Sequence, residues 1–203
     1  MAMETPSRAP APSALTTLLN SQAPPNSHPA HLHHLALQIQ HNLQYQHGWT
    51  ALRIHTHSAL NHAPLPRLLL SGLPPHRLYI HPDEQIELLK EAEKRRKAAR
   101  DSGANADNED AAVVAVSERE WVLPARLNEK WNLRRLAEVF DGLEIVPAND
   151  ENNIGDVSGE ESGKVDKENK WRQTKRVVLA TVDEDSTVVY YIVHDGVVKP
   201  RQN

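Results

Sequence analysis

Apolar and polar positions alternate with clear periods over some stretches of the chain and with none over others. From residue 30, Leu32, Leu35, Ile39 and Leu43 recur at intervals of three, four and four, which lays one apolar stripe along a helix. Gly48 follows where a helix-ending glycine is expected. The segment WTALRIHT then alternates, with Thr50, Leu52 and Ile54 on one face as in a half-buried strand. After Pro64 and Pro66, RLLLSGL and RLYIH read as two more short strands, separated by Pro74 and Pro75. Pro82, Asp83 and Glu84 mark a helix start, the acids suiting the positive end of its dipole. Ile86, Leu89 and Ala92 are the positions that can dock this helix, and EKRRKAAR beyond them has no apolar stripe and should run into solvent. Order resumes with EREWVLP. Asn128 is the expected cap of a helix carrying Leu133, Leu136, Ala137 and Phe140, ending at Gly142. RVVLATV, the turn DEDS and TVVYYIVHDGVVKP then predict a β-hairpin. The elements mix helices and strands, an α/β chain of the α+β kind.

The stretches without period have their own composition. Six of the 14 prolines lie before residue 30, and residues 1–29 read as a disordered Pro-rich tail. Its apolar island, Leu15, Leu18 and Leu19, is a docking motif or, more simply, a stray turn of helix. Residues 101–116 and 149–170 read as flexible insertions. The first opens with four acids and no base through residue 112, and the second holds seven acids against three lysines. Residues 30–203 are then a single domain. Hydrophobic residues make up 39% of the chain, below the ~45–50% of an average globular domain, which fits such unpacked segments.

Charge and residue usage narrow the chemistry. The chain has no cysteine, which excludes a disulfide scaffold, a thiolate metal site and a cysteine nucleophile, and fits a reducing compartment. No apolar run reaches the ~18–20 residues that cross a bilayer, and the first residues lack a secretory pattern. A net charge of −4 argues against binding nucleic acid through the whole surface. The twelve histidines include HLHH at residues 31–34, His41, His47, and the pair His55 and His57 on one strand face. No Asp, Glu or Cys stands among them to complete a metal site, so they read as a polar helix face, with His76 and His194 as surface residues. No metal and no cofactor are expected. The run Lys94, Arg95, Arg96, Lys97 and Arg100 suits RNA phosphates or an import signal, against the plainer reading of a solvated helix end. Val188, Val189, Tyr190, Tyr191, Ile192 and Val193 are apolar on both faces of the last strand. Such a strand is either an edge that invites another chain or a central strand covered on both sides.

The chain's end resembles that of the smallest structural subunit of the eukaryotic, especially fungal, tRNA-splicing endonucleases. The residues that carry the resemblance are Asp185, Ser186 and Thr187, then Val188, Val189, Tyr190 and Tyr191, then Asp195, Gly196, Pro200, Gln202 and Asn203. Upstream, a helix ending near Trp49, two short strands, WVLP and an amphipathic helix agree in order. The resemblance implies a small mixed sheet packed by helices, like the C-terminal domain of archaeal tRNA-intron endonucleases. It implies a heterotetramer of two catalytic and two structural subunits acting on precursor tRNA. Catalytic subunits of that kind use a Tyr base, a His acid and a Lys that stabilises charge, and the glycine-rich segment carrying the Tyr and His has no counterpart here. Lys175 is one candidate for the lysine, while the helix near Val139 to Gly142 gives none. A non-catalytic scaffold subunit is therefore expected, with a nuclear location; a cytoplasmic or organelle-surface location and self-pairing of the isolated chain stay open. The matching strand would be a subunit interface, and the loop with Asp183, Glu184 and Asp185 would enter a neighbour's polar pocket. The alternative is a stand-alone RNA-binding or adaptor protein with this fold.

Overall fold

The computed structural model describes residues 11–21, 24, 27–101, 115–148 and 169–198. In chain order these form helix α1 (Ala14–Ser21), helix α2 (Ala30–Tyr45), strands β1 (Thr50–His57) and β2 (Pro64–Leu73), helix α3 (Pro82–Asp101), strand β3 (Glu120–Arg126), helix α4 (Leu133–Asp141) and strands β4 (Arg176–Val182) and β5 (Val188–His194). The strands make one sheet in the order β1-β2-β3-β4-β5, antiparallel throughout except for β3 and β4, which run parallel. A parallel pair needs a crossover, and α4 lies within it. Helices with a mixed sheet give the α+β class.

Both faces of the sheet carry a core. On one face α2 lays Leu35, Ala36, Ile39 and Leu43 over Leu68, Leu70, Val122 and Val178. On the other, Val139 and Phe140 of α4, with Leu143, pack on Leu69, Trp121, Leu123 and Val177. Strands covered on both sides must be apolar in continuous runs, which is why LLL, WVL and VVLA occupy β2, β3 and β4. Gly48 (φ +65°) turns the chain from α2 into β1, and the Trp49 amide donates to the Leu43 carbonyl at 3.0 Å. Trp49 and Leu52 then close on Gly72 of β2: a Cβ there would stand 2.6 Å from Leu52 Cδ2.

Several expectations are corrected. RLYIH forms no strand, because Arg77 turns instead to Glu84 and Glu118, with which it pairs. Ile86 and Leu89 do not dock α3; they are 49% and 62% exposed, and ion pairs hold the helix start in their place. The cap of α4 is Asn132 rather than Asn128, its Oδ1 accepting from the Arg135 amide at 2.8 Å. The helix buries Val139 and Phe140, while Leu133 and Ala137 are exposed. Inside the segment read as a disordered tail, Ala14–Ser21 is helical. Ser13 Oγ accepts from the Thr16 amide at 3.1 Å, and Leu15, Leu18 and Leu19 are half-buried. Most of the two acidic insertions, and Pro200, Gln202 and Asn203, lie outside the described residues.

Candidate interface at the last strand

β5 is an edge strand. Its ladder with β4 runs without a break from Val182 opposite Val188 to Arg176 opposite His194. Among the described residues no strand lies on the other side of β5, and the strand itself carries none of the usual guards: no bulge, no proline and no lysine. The opposite edge, β1, is guarded. Its register shifts twice, between Thr50 and Arg53 and between His55 and His57, and Ala51 sits at φ +49°.

Strand periodicity divides the β5 side chains between two faces. Val188 and Tyr190 join the core beneath α2, and the Tyr190 hydroxyl donates to Asn42 Oδ1 at 2.5 Å. Val193 packs on the α4 side near the end of the strand. Val189 and Tyr191 share that side but remain 42% and 55% exposed, and Ile192 is exposed on the α2 side. The apolar surface open to another chain is therefore centred on Val189 and Tyr191.

The loop before β5 holds its acids outward. The Asp183 amide donates to the Thr187 carbonyl at 2.9 Å, and Ser186 takes a left-handed conformation, φ +69°. Asp185 Oδ1 accepts from the Thr187 amide at 2.8 Å, and that bond holds its carboxyl below the usual carboxylate range. Asp183, Glu184 and Asp185 are all exposed. Beside them a shallow cleft of ≈ 120 Å³ lies between residues 182–184 and Arg126, Leu127 and Asn128.

The groups considered for cleavage chemistry are held apart. Lys175 Nζ donates to the Phe140 carbonyl at 2.8 Å, so it caps the end of α4. The two places to which a catalytic lysine could be aligned thus meet in one hydrogen bond. Lys175 is on the α4 side of the sheet, whereas Tyr190 and His194 are on the α2 side. Burial pushes the Tyr190 hydroxyl pKa well up, so it gives up its proton reluctantly.

Residues 38–203 match the family described as Sen15 protein. The chain belongs to the Sen15 protein family. It is 40% identical over 179 residues to the probable tRNA-splicing endonuclease subunit tsp-1 of Neurospora crassa, covering 85% of this chain and 67% of that protein. It is 31% identical over 84 residues to the probable tRNA-splicing endonuclease subunit sen15 of Schizosaccharomyces pombe, covering 41% of this chain and 50% of that protein.

The remaining polar candidates in this Sen15-family chain fall into place individually. Arg95 is paired with Glu91 at 2.6 Å, while Lys94, Arg96 and Lys97 are exposed. His33 is buried and does not belong to a polar face; burial, then His34, lowers its pKa. His194 is half-buried, edge-on to Tyr79 with ring centroids 4.8 Å apart, and so is no ordinary surface residue. His55 Nε2 lies 2.8 Å from Ser71 Oγ. Among the described residues no group of three His, Asp or Glu is gathered as metal ligands are. The buried ion network of Arg77, Arg172 and Arg176 with Glu84, Glu118 and Glu120 was not anticipated. Its one local signal is Glu118 and Glu120, two apart and hence on one face as β3 begins.

Proposed function

We propose that this chain is a non-catalytic structural subunit of a four-subunit tRNA-splicing endonuclease, and that β5 is the strand by which it joins a catalytic partner. The complex acts on precursor tRNA in the nucleus. The observation that carries the reading is the unguarded edge of β5 with Val189 and Tyr191 exposed beside it. An added strand there gains main-chain hydrogen bonds from the edge and specificity from alternate side chains. The relatives in Neurospora crassa and Schizosaccharomyces pombe are named as probable tRNA-splicing endonuclease subunits, which supports this kind of complex. Cleavage by a ribose 2′-oxygen needs a base, an acid and positive charge converging on one phosphate. The Tyr190 hydroxyl is committed to Asn42 and Lys175 to a carbonyl across the sheet, which supports a scaffold role.

The test pairs Val189→Asp with Tyr191→Asp in the full chain, co-expressed with the catalytic subunit. A charge buried at an interface without a counterion costs several kcal/mol, so co-purification should fall by roughly a hundredfold or more. The circular dichroism should stay unchanged, since both side chains are already exposed. A folded double variant that still elutes with its partner would refute the interface. Lys175→Ala in the assembled complex should leave cleavage at both splice sites within a few-fold, because removing a true acid–base group costs ~10²–10⁴. A native chain that co-purifies with no endonuclease subunit would belong among stand-alone adaptors instead.

A further inference from the structure

Helix α3 is tied to the body at its start, and its carboxylates are mostly spent there. Glu84 pairs with Arg77 at 2.8 Å and Glu87 with Lys170 at 2.8 Å, and Glu91 is taken by Arg95 one turn on at 2.6 Å. Among the described residues Glu93 is then the one uncommitted acid beside Lys90, Lys94, Arg96 and Lys97. Those four cations are exposed and, among the described residues, have no carboxylate in ion-pair reach. With 3.6 residues per turn, Lys90, Lys94 and Lys97 fall on one stripe about 10 Å long. That stripe lies across the helix from Leu88 and Ala92, the half-buried positions turned to the body.

We infer that the outer stripe of α3 is a contact for an RNA phosphate backbone. The inference rests on the proposed function for the identity of that RNA, a precursor tRNA. A chain of net charge −4 repels RNA over most of its surface, so a segregated cationic stripe is where a polyanion can approach. Lysines act there as point charges that neutralise phosphates without reading bases. The structure changes the residue set read from the sequence: Arg95 leaves it, because Glu91 holds it, and Lys90 enters.

The experiment measures binding of a labelled intron-containing tRNA transcript to the full chain by fluorescence anisotropy across a salt series. The variant replaces Lys90, Lys94, Arg96 and Lys97 by Gln, a good helix former, so the circular dichroism should be retained. Affinity at low salt should fall about tenfold or more. The slope of log K against log salt should shrink by roughly three, since four neutralised phosphates contribute ~0.7–0.9 each. Ile86→Ser with Leu89→Ser should leave RNA affinity unchanged. Equal affinity and slope for parent and quadruple variant, including no binding by either, would overturn the contact. So would loss of a protein partner in the Ile86 and Leu89 variant with RNA binding untouched by the quadruple one, which would make α3 a protein-docking helix. Co-purification with endonuclease subunits is scored in parallel. A lysine-dependent RNA affinity in a chain that co-purifies with nothing would defeat the proposed function and leave this contact standing.

Discussion

His194 closes β5 half-buried, facing Tyr79 and the charges of Arg176, Arg172 and Glu120. Burial first, and then the Arg176 guanidinium, hold its pKa below the ordinary imidazole value. His33 on α2 is lowered in the same direction by burial and by His34. Both are therefore neutral in the folded chain at pH values where the unfolded chain has begun to protonate them, near 6.5. For a group depressed by folding, the stability it contributes is whole above the unfolded pKa and is lost as pH falls through the folded one. The melting temperature should be flat above about pH 7 and begin to drop as pH falls below about 6.5, before most carboxylates titrate. His33→Gln with His194→Gln should flatten that drop, and an unchanged slope in the double variant would show that neither ring is responsible. Neither burial is legible locally. His33 stands next to His34 in a run that reads as polar, and its place inside follows from α2 burying a wider arc than its leucine stripe.

The ion network acts on elements rather than on single residues. Glu120 of β3, 1% exposed, accepts from Arg172 Nη2 and Arg176 Nε, each at 3.0 Å. Glu118 binds both arginines and Arg77, and Arg77 reaches Glu84 in the first turn of α3. Three guanidinium groups thus meet three carboxylates, joining α3, β3 and β4. Burial is the largest influence on both Arg172 and Arg176; it holds the pKa of Arg172 down, whereas at Arg176 the bonds and charges of Glu120 and Glu118 together overcome it and raise the pKa. Glu120→Gln leaves two buried cations short of a counter-charge and should cost about 3–5 kcal/mol. Urea unfolding checks this, and a loss under ~1 kcal/mol would mean that water screens the network. Elements with strong periods, the α2 stripe and the final hairpin, were readable because their information is local. Arg77 was misread as strand because its partners Glu118 and Glu84 are set by tertiary contact. The same holds at α4. Asn128 and Asn132 both precede apolar positions, and Arg135 lies over the Trp131 ring at 4.4 Å while its amide donates to Asn132 Oδ1.

At the scale of the whole molecule the two sheet edges are unlike, and the difference was half visible in the sequence. An apolar β5 on both faces left edge and centre equally open; the strand order places it at the edge. The hairpin also sets the acidic loop at the end of that edge, exposed beside Val189. In the proposed four-subunit complex, we expect the loop to serve a contact distinct from the strand, joining one pair of subunits to the other. The substitutions should remove charge and keep the acceptors that shape the turn: Asp183→Asn, Glu184→Gln and Asp185→Asn, since Asp183 and Asp185 accept from the Glu184 and Thr187 amides. Pairing through β5 should survive in this variant, because no apolar side chain of the strand is altered. Assembly to four subunits should weaken at low salt. The gap between parent and variant should close as salt rises, because exposed charges are screened over about 10 Å at 0.1 M. Sedimentation of the reconstituted complex through a salt series separates these outcomes. Equal four-subunit fractions at low salt would remove the loop from assembly. A loss of both contacts together would mean that strand and loop form one interface.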